Sequence, residues 1–174
     1  MNQIIIYGSC YGTSQHYAKV LSQKTQIKAV SYDQIKDLDG YNRIIYIGGL
    51  YAGGVKGLKQ VLPLIKTSLI LATVGLADVK DHENIENICM SLQRQIPADL
   101  YQKTTLFHLR GGINYQILNV KHKTMMALLY QKAKRIPKEQ QTADVKAMIE
   151  TYHQKVDFYD ESSLDPIIQM IKEG

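Results

Sequence analysis

The sequence predicts an α/β protein: a doubly wound, five-stranded parallel sheet with an extra helical segment between the fifth strand and the last helix. Short apolar bursts without polar alternation suit strands covered on both faces. Stretches with apolar residues at helical spacing lie between them, the alternation that builds a parallel sheet with right-handed crossovers. After the fifth burst, about fifty residues precede the last helix, far beyond an ordinary connection, so that stretch must carry structure of its own.

Ile4, Ile5, Ile6 and Tyr7 form the first strand and end at Gly8, after which Tyr17, Val20 and Leu21 fall on one helical face. Residues 27–30 read as the second strand, 43–47 as the third and 69–74 as the fourth. Val55, Leu58, Val61, Leu62 and Ile65 share a helical face between the third and fourth, with Pro63 marking a kink or an early end. Ile85, Ile88, Cys89, Leu92 and Ile96 give the next helix, closed by Pro97, and this spacing places Cys89 in the core. Residues 104–109 make the fifth strand. The pattern then predicts one helix over 117–135, ending before Pro137, and another over 142–154 with Val145, Met148, Ile149 and Tyr152 as its apolar stripe. Val156, Asp157, Phe158 and Tyr159 are expected to rejoin the sheet edge. Residues 166–172 form the last helix, with Ser162 or Ser163 as its N-cap.

The chain has 174 residues, 45% hydrophobic and 21% charged, with 12 Gly and 4 Pro, which excludes collagen-like and disordered classes. One substantial core fits this length, so residues 1–174 read as a single domain with 111–155 as its helical insertion. Cys10 and Cys89 lie far apart without a CxxC arrangement, which speaks against a disulfide framework or structural zinc and fits a reducing, cytoplasmic compartment. The start lacks a positively charged leader, and no apolar run reaches about 18 residues, so neither a secretion signal nor a membrane span is expected. Lys and Arg outnumber Asp and Glu by 21 to 16, a net charge of +5. The basic groups gather between Lys121 and Lys146, while Asp157, Asp160, Glu161, Asp165 and Glu173 make the end acidic, as two solvated helix faces of opposite sign would. The histidines are scattered, and His82-Glu83 has no second His at helical spacing, so no metal is expected. Tyrosine is abundant, but no RNP, KH or helix-turn-helix signal accompanies it, and nucleic acid is not an expected partner.

In an open parallel sheet, ligands settle beyond the carboxyl ends of the strands. There Ser9, Cys10, Tyr11, Gly12, Thr13 and Ser14 join the first strand to the first helix through small hydroxyl-bearing residues and a glycine. Backbone N–H groups and hydroxyls converge on an anion at the positive helix end, and a phosphate monoester fits. The plain alternative is a tight turn capped by Thr13 or Ser14. A GxxxxGK P-loop and a GxGxxG turn are both missing, which disfavours nucleotides and dinucleotides. Cys10 in such a loop raises the question of a thiolate nucleophile, but the Cys-x5-Arg pattern meets His16 where arginine would stand, and imidazole lacks the two-pronged guanidinium contact. Cys10 therefore reads as a loop thiol, and no catalytic side chain is assigned. The third-strand loop offers Leu50, Tyr51, Ala52 and Gly53, either a flat side chain for a planar ligand or an exposed hinge. After the fourth strand, Val74, Gly75, Leu76 and Asp78 can hold the polar edge of a ring through main-chain groups, or Asp78 simply starts the next loop.

Ser9, Gly12 and Ser14 satisfy the pattern S/T-x-x-G-x-S/T, and with it the chain resembles the flavodoxin-like flavoproteins, whose phosphate loop has that form. Residues 41–48 followed by Tyr51, Ala52 and Gly53, the segment 110–126 and the ending 156–171 are similar to the menaquinone-dependent protoporphyrinogen oxidase (protoporphyrinogen IX dehydrogenase) branch, over nearly the whole length. The resemblance implies a flavodoxin-like fold with FMN as cofactor. It also implies oxidation of a reduced tetrapyrrole in heme biosynthesis, with electrons passing to a quinone. The alternative is an electron-transfer protein serving a redox partner protein, and a third reading is a domain that binds a partner without cofactor. Carriers dock basic partners through an acidic rim, which the +5 balance and a pI near 9.1 oppose.

The family's carriers sandwich the flavin between two aromatics. Tyr51 supplies one, and with no aromatic between Gly75 and Lys80 either Leu76 or His82 substitutes. The few acids in these loops predict a flavin potential above that of an acidic carrier. The insertion is the natural place for substrate or quinone selection, with Arg110, Asn114 and Tyr115 as the substrate-binding candidates. Residues 125–130 read first as a buried helix face, and the flanking Lys121, Lys123, Lys132, Lys134 and Arg135 also suit peripheral contact with the inner face of a membrane. His16 is an exposed residue or a phosphate neutraliser.

Overall fold

The computed structural model describes residues 2–51 and 54–173. In chain order the elements are β1 (Gln3–Gly8), α1 (Thr13–Thr25), β2 (Ala29–Ser31), β3 (Arg43–Tyr51), β4 (Gly54–Val55), α2 (Leu58–Val61), β5 (Ser68–Gly75) and α3 (His82–Gln95). They continue with α4 (Ala98–Tyr101), β6 (Thr104–Arg110), β7 (Gly112–Asn114), α5 (Val120–Lys134), α6 (Ala143–Thr151), β8 (Lys155–Asp157) and α7 (Asp165–Glu173). The main sheet runs β2-β1-β3-β5-β6 with every neighbour parallel, and β4 folds back antiparallel on the end of β3. From β1 the chain moves outward to β2 and then crosses to β3 on the other side, so a crevice opens at the carboxyl ends of β1 and β3.

The strands read as unbroken apolar runs because both faces of the sheet are covered. Ile4, Ile6, Ile44, Tyr46, Leu69 and Leu71 point into one core layer with Leu58, Val61, Ile88 and Leu92. Ile5, Ile45, Ile47, Ile70 and Ala72 point the other way, against Tyr17, Ala18 and Leu21 of α1 and Ile167 and Ile171 of α7. Each such Ile or Leu contributes about 1.5–3 kcal/mol by leaving water. Tyr46 is fully buried, and its hydroxyl donates to the Lys56 carbonyl at 2.6 Å, which satisfies its one polar atom.

Local chemistry sets the helix ends. The expected crossover after β4 is helical but brief, because Pro63 turns it into a 3-10 segment over Leu62–Leu64. α3 starts where the Asp81 side chain accepts the Asn84 N–H at 3.2 Å, and Cys89 on this helix is half-buried rather than in the core. The serines expected to cap the last helix instead lie inside a 3-10 turn, Glu161–Leu164, whose cap is Asp160 accepting from the Ser162 N–H at 3.0 Å.

The insertion departs from the expected plan at its return. Residues 156–159 do not rejoin the main sheet, since β8 pairs antiparallel with β7 as a separate ribbon, Gly112 opposite Asp157 and Asn114 opposite Lys155. The cause lies at the end of β6, where the Gly111 N–H donates to the Gly75 carbonyl at 2.7 Å and the Phe158 N–H to the Gly111 carbonyl at 3.1 Å. The strands then run so close that a Cβ on Gly112 would lie 2.5 Å from the Val156 carbonyl oxygen. Beyond this neck, Ile113, Tyr115, Leu118 and Met126 make a small core that also takes in Tyr11 and Leu76. The insertion thus packs onto the loops at the carboxyl end of the sheet.

Candidate functional site

The loop after β1 folds around Gly12, which has φ +94 and is the N-cap of α1. This left-handed geometry favours glycine. The Gly12 N–H donates to Ser9 Oγ at 3.0 Å, which leaves the Ser9 hydroxyl hydrogen to point elsewhere. Thr13 and Ser14 are already inside the helix, so the plain reading of one of them as cap does not hold, and no side chain caps α1. Its first-turn N–H groups therefore have no intrahelical acceptor, and the first turn carries no acid. A helix start of this kind can receive an anion by dipole and by hydrogen bonding. Thr13 Oγ1 accepts the Gly112 N–H at 3.4 Å, which ties the cradle to the neck of the insertion.

Next to the cradle lies a cavity of about 300 Å³. Ser9, Cys10, Tyr11, Thr13 and Ser14 line it from the first loop, Leu50 and Tyr51 from β3, and Val74, Gly75 and Leu76 from β5. Ile113, Met126, Leu129, Asp144 and Met148 of the insertion close the side opposite, with Asn87, Ile88 and Ser91 of α3. A phosphate cradle with no lysine or arginine, followed by an apolar slot beside Tyr51 and Leu76, fits a phosphate ester that carries a flat ring, and FMN has that form.

Aromatic groups from three segments meet beside this cavity, two of them, Tyr11 and Tyr51, lining it. The Tyr51 hydroxyl donates to Met125 Sδ at 2.6 Å, and the His122 ring stands 6.5 Å from Tyr51 and 5.8 Å from Tyr11, edge-on to both. Burial pushes the Tyr11 hydroxyl pKa up to about 12, helped by Tyr51, Cys10 and Tyr115, and its buried oxygen has no hydrogen-bond partner among the described residues. Tyr51 is raised for the same first reason. Both phenols stay protonated at neutral pH, so they shape the slot rather than exchange protons. Asp144, an exposed residue of α6 that lines the cavity, has its carboxyl pKa raised by partial desolvation.

Some candidates stand elsewhere. Gly12 shapes the cradle without lining the cavity. Asp78 belongs to a turn, its Oδ1 accepting the Lys80 N–H at 2.9 Å and its carbonyl accepting from Asn84 Nδ2 at 2.9 Å. Ala52 and Gly53 lie outside the described residues. The three substrate-binding candidates do not line the cavity. The Arg110 guanidinium stacks on Phe158 at 3.8 Å and donates to the Leu76 carbonyl at 2.9 Å, so it braces the β5 loop. Asn114 Oδ1 accepts the Gln116 N–H at 3.0 Å, closing a turn. Tyr115 is buried against Tyr152 and His153, ring centroids 5.3 and 5.7 Å apart. Of the two stand-ins for a second aromatic, Leu76 lines the slot and His82 is exposed at the start of α3. His16 packs edge-on to Tyr159 at 4.5 Å.

Sequence reasoning missed His122, Met126 and Asp144. The unusual length of the insertion was the available signal, since no spacing within it says which residues fold back on the cradle. Asp144 also places an acid at a cavity that the loops alone make acid-free.

No curated protein matches the chain. A solved structure similar to it is that of a mutant Fusobacterium nucleatum flavodoxin bound to flavin mononucleotide, 12% identical, covering 67% of this chain and 72% of that one with a TM-score of 0.41. A flavodoxin domain model matches residues 4–140. The chain belongs to the flavodoxin domain family, with FMN as its cofactor.

Proposed function

We propose that this protein is an FMN-dependent oxidoreductase of the protoporphyrinogen IX dehydrogenase kind, oxidising a reduced tetrapyrrole and delivering the electrons to a quinone. The observation that carries this reading is the insertion wall: Ile113, Met126, Leu129, Asp144 and Met148 enclose the cavity beside Tyr51. A carrier exposes its flavin edge to a docking protein, whereas here residues of α5 and α6 line the cavity that would receive the ring. When bound, FMN supplies the hydride or single-electron chemistry. The chain's own groups do the rest. The loop of Ser9 to Ser14 would hold the phosphate, Tyr51 and Leu76 would offer the apolar surface for the ring, and Met126, Met148 and Leu129 would keep water out.

The outer side of the insertion supports a peripheral contact with an anionic membrane, where a quinone dissolves. Ile117, Val120 and Leu128 are 75%, 80% and 62% exposed. Val120 and Leu128 share the solvent side of α5 with Lys121, Lys132 and Arg135, and the helix contains no Asp or Glu.

Turnover tests the reading directly. Flavin-loaded protein is expected to convert protoporphyrinogen IX to the fluorescent porphyrin in the presence of a menaquinone analogue. No conversion, with reduction of a redox protein intact, would assign the carrier role instead.

A further inference from the structure

Arg110 ends β6 without lining the cavity, yet it holds a piece of the cavity wall. Its guanidinium stands over Phe158, 3.8 Å from the ring centre, and donates to the Leu76 carbonyl at 2.9 Å. Phe158 is itself fixed to the neck of the insertion, because its N–H donates to the Gly111 carbonyl at 3.1 Å. Among the described residues no carboxylate pairs with the guanidinium, and its Nε is buried without a hydrogen-bond partner. A positive charge that no acid neutralises thus stands one hydrogen bond from Leu76, which lines the cavity.

The same bond orients the peptide that follows. Every peptide here is trans, so its N–H points opposite to its C=O. With the Leu76 carbonyl turned to Arg110, the Ala77 N–H points away from it. Ala77 is 5% exposed, and among the described residues neither its N–H nor that of Leu76 has an acceptor. Backbone donors in such places are nearly always paired, so the acceptor has to come from outside the chain. A carbonyl that accepts from a cation also polarises its peptide, which strengthens the N–H as a donor.

We propose that Arg110 is a positioning residue for the flavin: by fixing the Leu76 carbonyl it presents the Leu76 and Ala77 N–H groups to the polar edge of the ring, and its charge behind them favours the reduced flavin over the oxidised one. This rests on the reading of the cavity as the FMN site and adds to it the residue that tunes the potential. Uptake of two electrons with one proton leaves the ring negative, so N–H donors and a cation stabilise the reduced form more than the oxidised one.

The test uses the full chain with and without FMN. In the wild type, amide exchange followed by NMR should slow at Ala77 by at least about tenfold when FMN binds. Affinity for oxidised FMN, from a fluorescence titration, and the two-electron potential, from reductive titration against a reference dye, together give the affinity for both forms. Arg110→Met should weaken the reduced form at least about tenfold more than the oxidised one, a fall of about 30 mV in potential. Arg110→Lys, which keeps the charge and a donor, should hold the ratio of the two affinities within about threefold of wild type. A brace with only a structural role would weaken both forms equally and leave the potential where it was, and that result overturns the inference. Unchanged exchange at Ala77 overturns it too, a readout that needs no variant and decides the matter if Arg110→Met fails to fold. Failure of the wild type to bind FMN overturns the cofactor reading and this inference with it, and is seen before any variant is made.

Discussion

Gly12 decides whether the first helix can receive an anion. At φ +94 any side chain is strained, by about 1 kcal/mol for alanine, while the space around a Cβ there is open. Gly12→Glu should therefore leave the fold intact and set a negative charge against the phosphate, weakening FMN binding by at least about 100-fold in a fluorescence titration. His108 makes a different prediction. Burial lowers its pKa below the usual 6.5, and its Nδ1 lies 2.8 Å from Thr73 Oγ1. The unfolded chain binds this proton more readily than the folded one, so stability is complete above pH 6.5 and falls as pH drops towards the lowered folded value. Urea unfolding at pH 7.5 and 5.5 should show wild type losing more stability on acidification than His108→Gln does.

At the scale of elements, α3 depends on its cap. Replacing Asp81 by alanine removes the acceptor for the Asn84 N–H and should cost about 1 kcal/mol, read as a lower urea midpoint with an unchanged slope. The parallel strands were legible in the sequence because residues such as Ile44, Ile45, Tyr46 and Ile47 are buried on alternate faces, which writes the covered sheet as a continuous run. The turn from the first strand into the uncapped first helix was legible for a related reason, since a short strand, a glycine and hydroxyl residues sit together in the chain. The far wall was not. α5 has apolar residues on both sides, Met126 buried and Leu128 exposed, so spacing alone does not say which side faces in. His122 meets Tyr51 and Tyr11, more than seventy positions away, Asp144 comes to the cavity on a helix that packs against α3, and Arg110 was drawn from the site by Phe158, a partner that the sequence does not bring near it.

Taken whole, the molecule has a cavity on one side of the insertion and a basic, partly apolar surface on the other. If that outer surface meets lipid, the protein should co-sediment with vesicles rich in phosphatidylglycerol and release at high salt. Val120→Asp with Leu128→Asp should weaken partitioning by at least about tenfold while FMN affinity holds. The paired neck of the insertion has a wider consequence. Asn114 and Lys155 face each other across one rung, so a two-residue Asn-Gly turn could join them and omit residues 115–154 without displacing either end of the frame. The segment is thus hung on the frame like a detachable cassette, and a chain carrying that short turn in its place should still fold its scaffold.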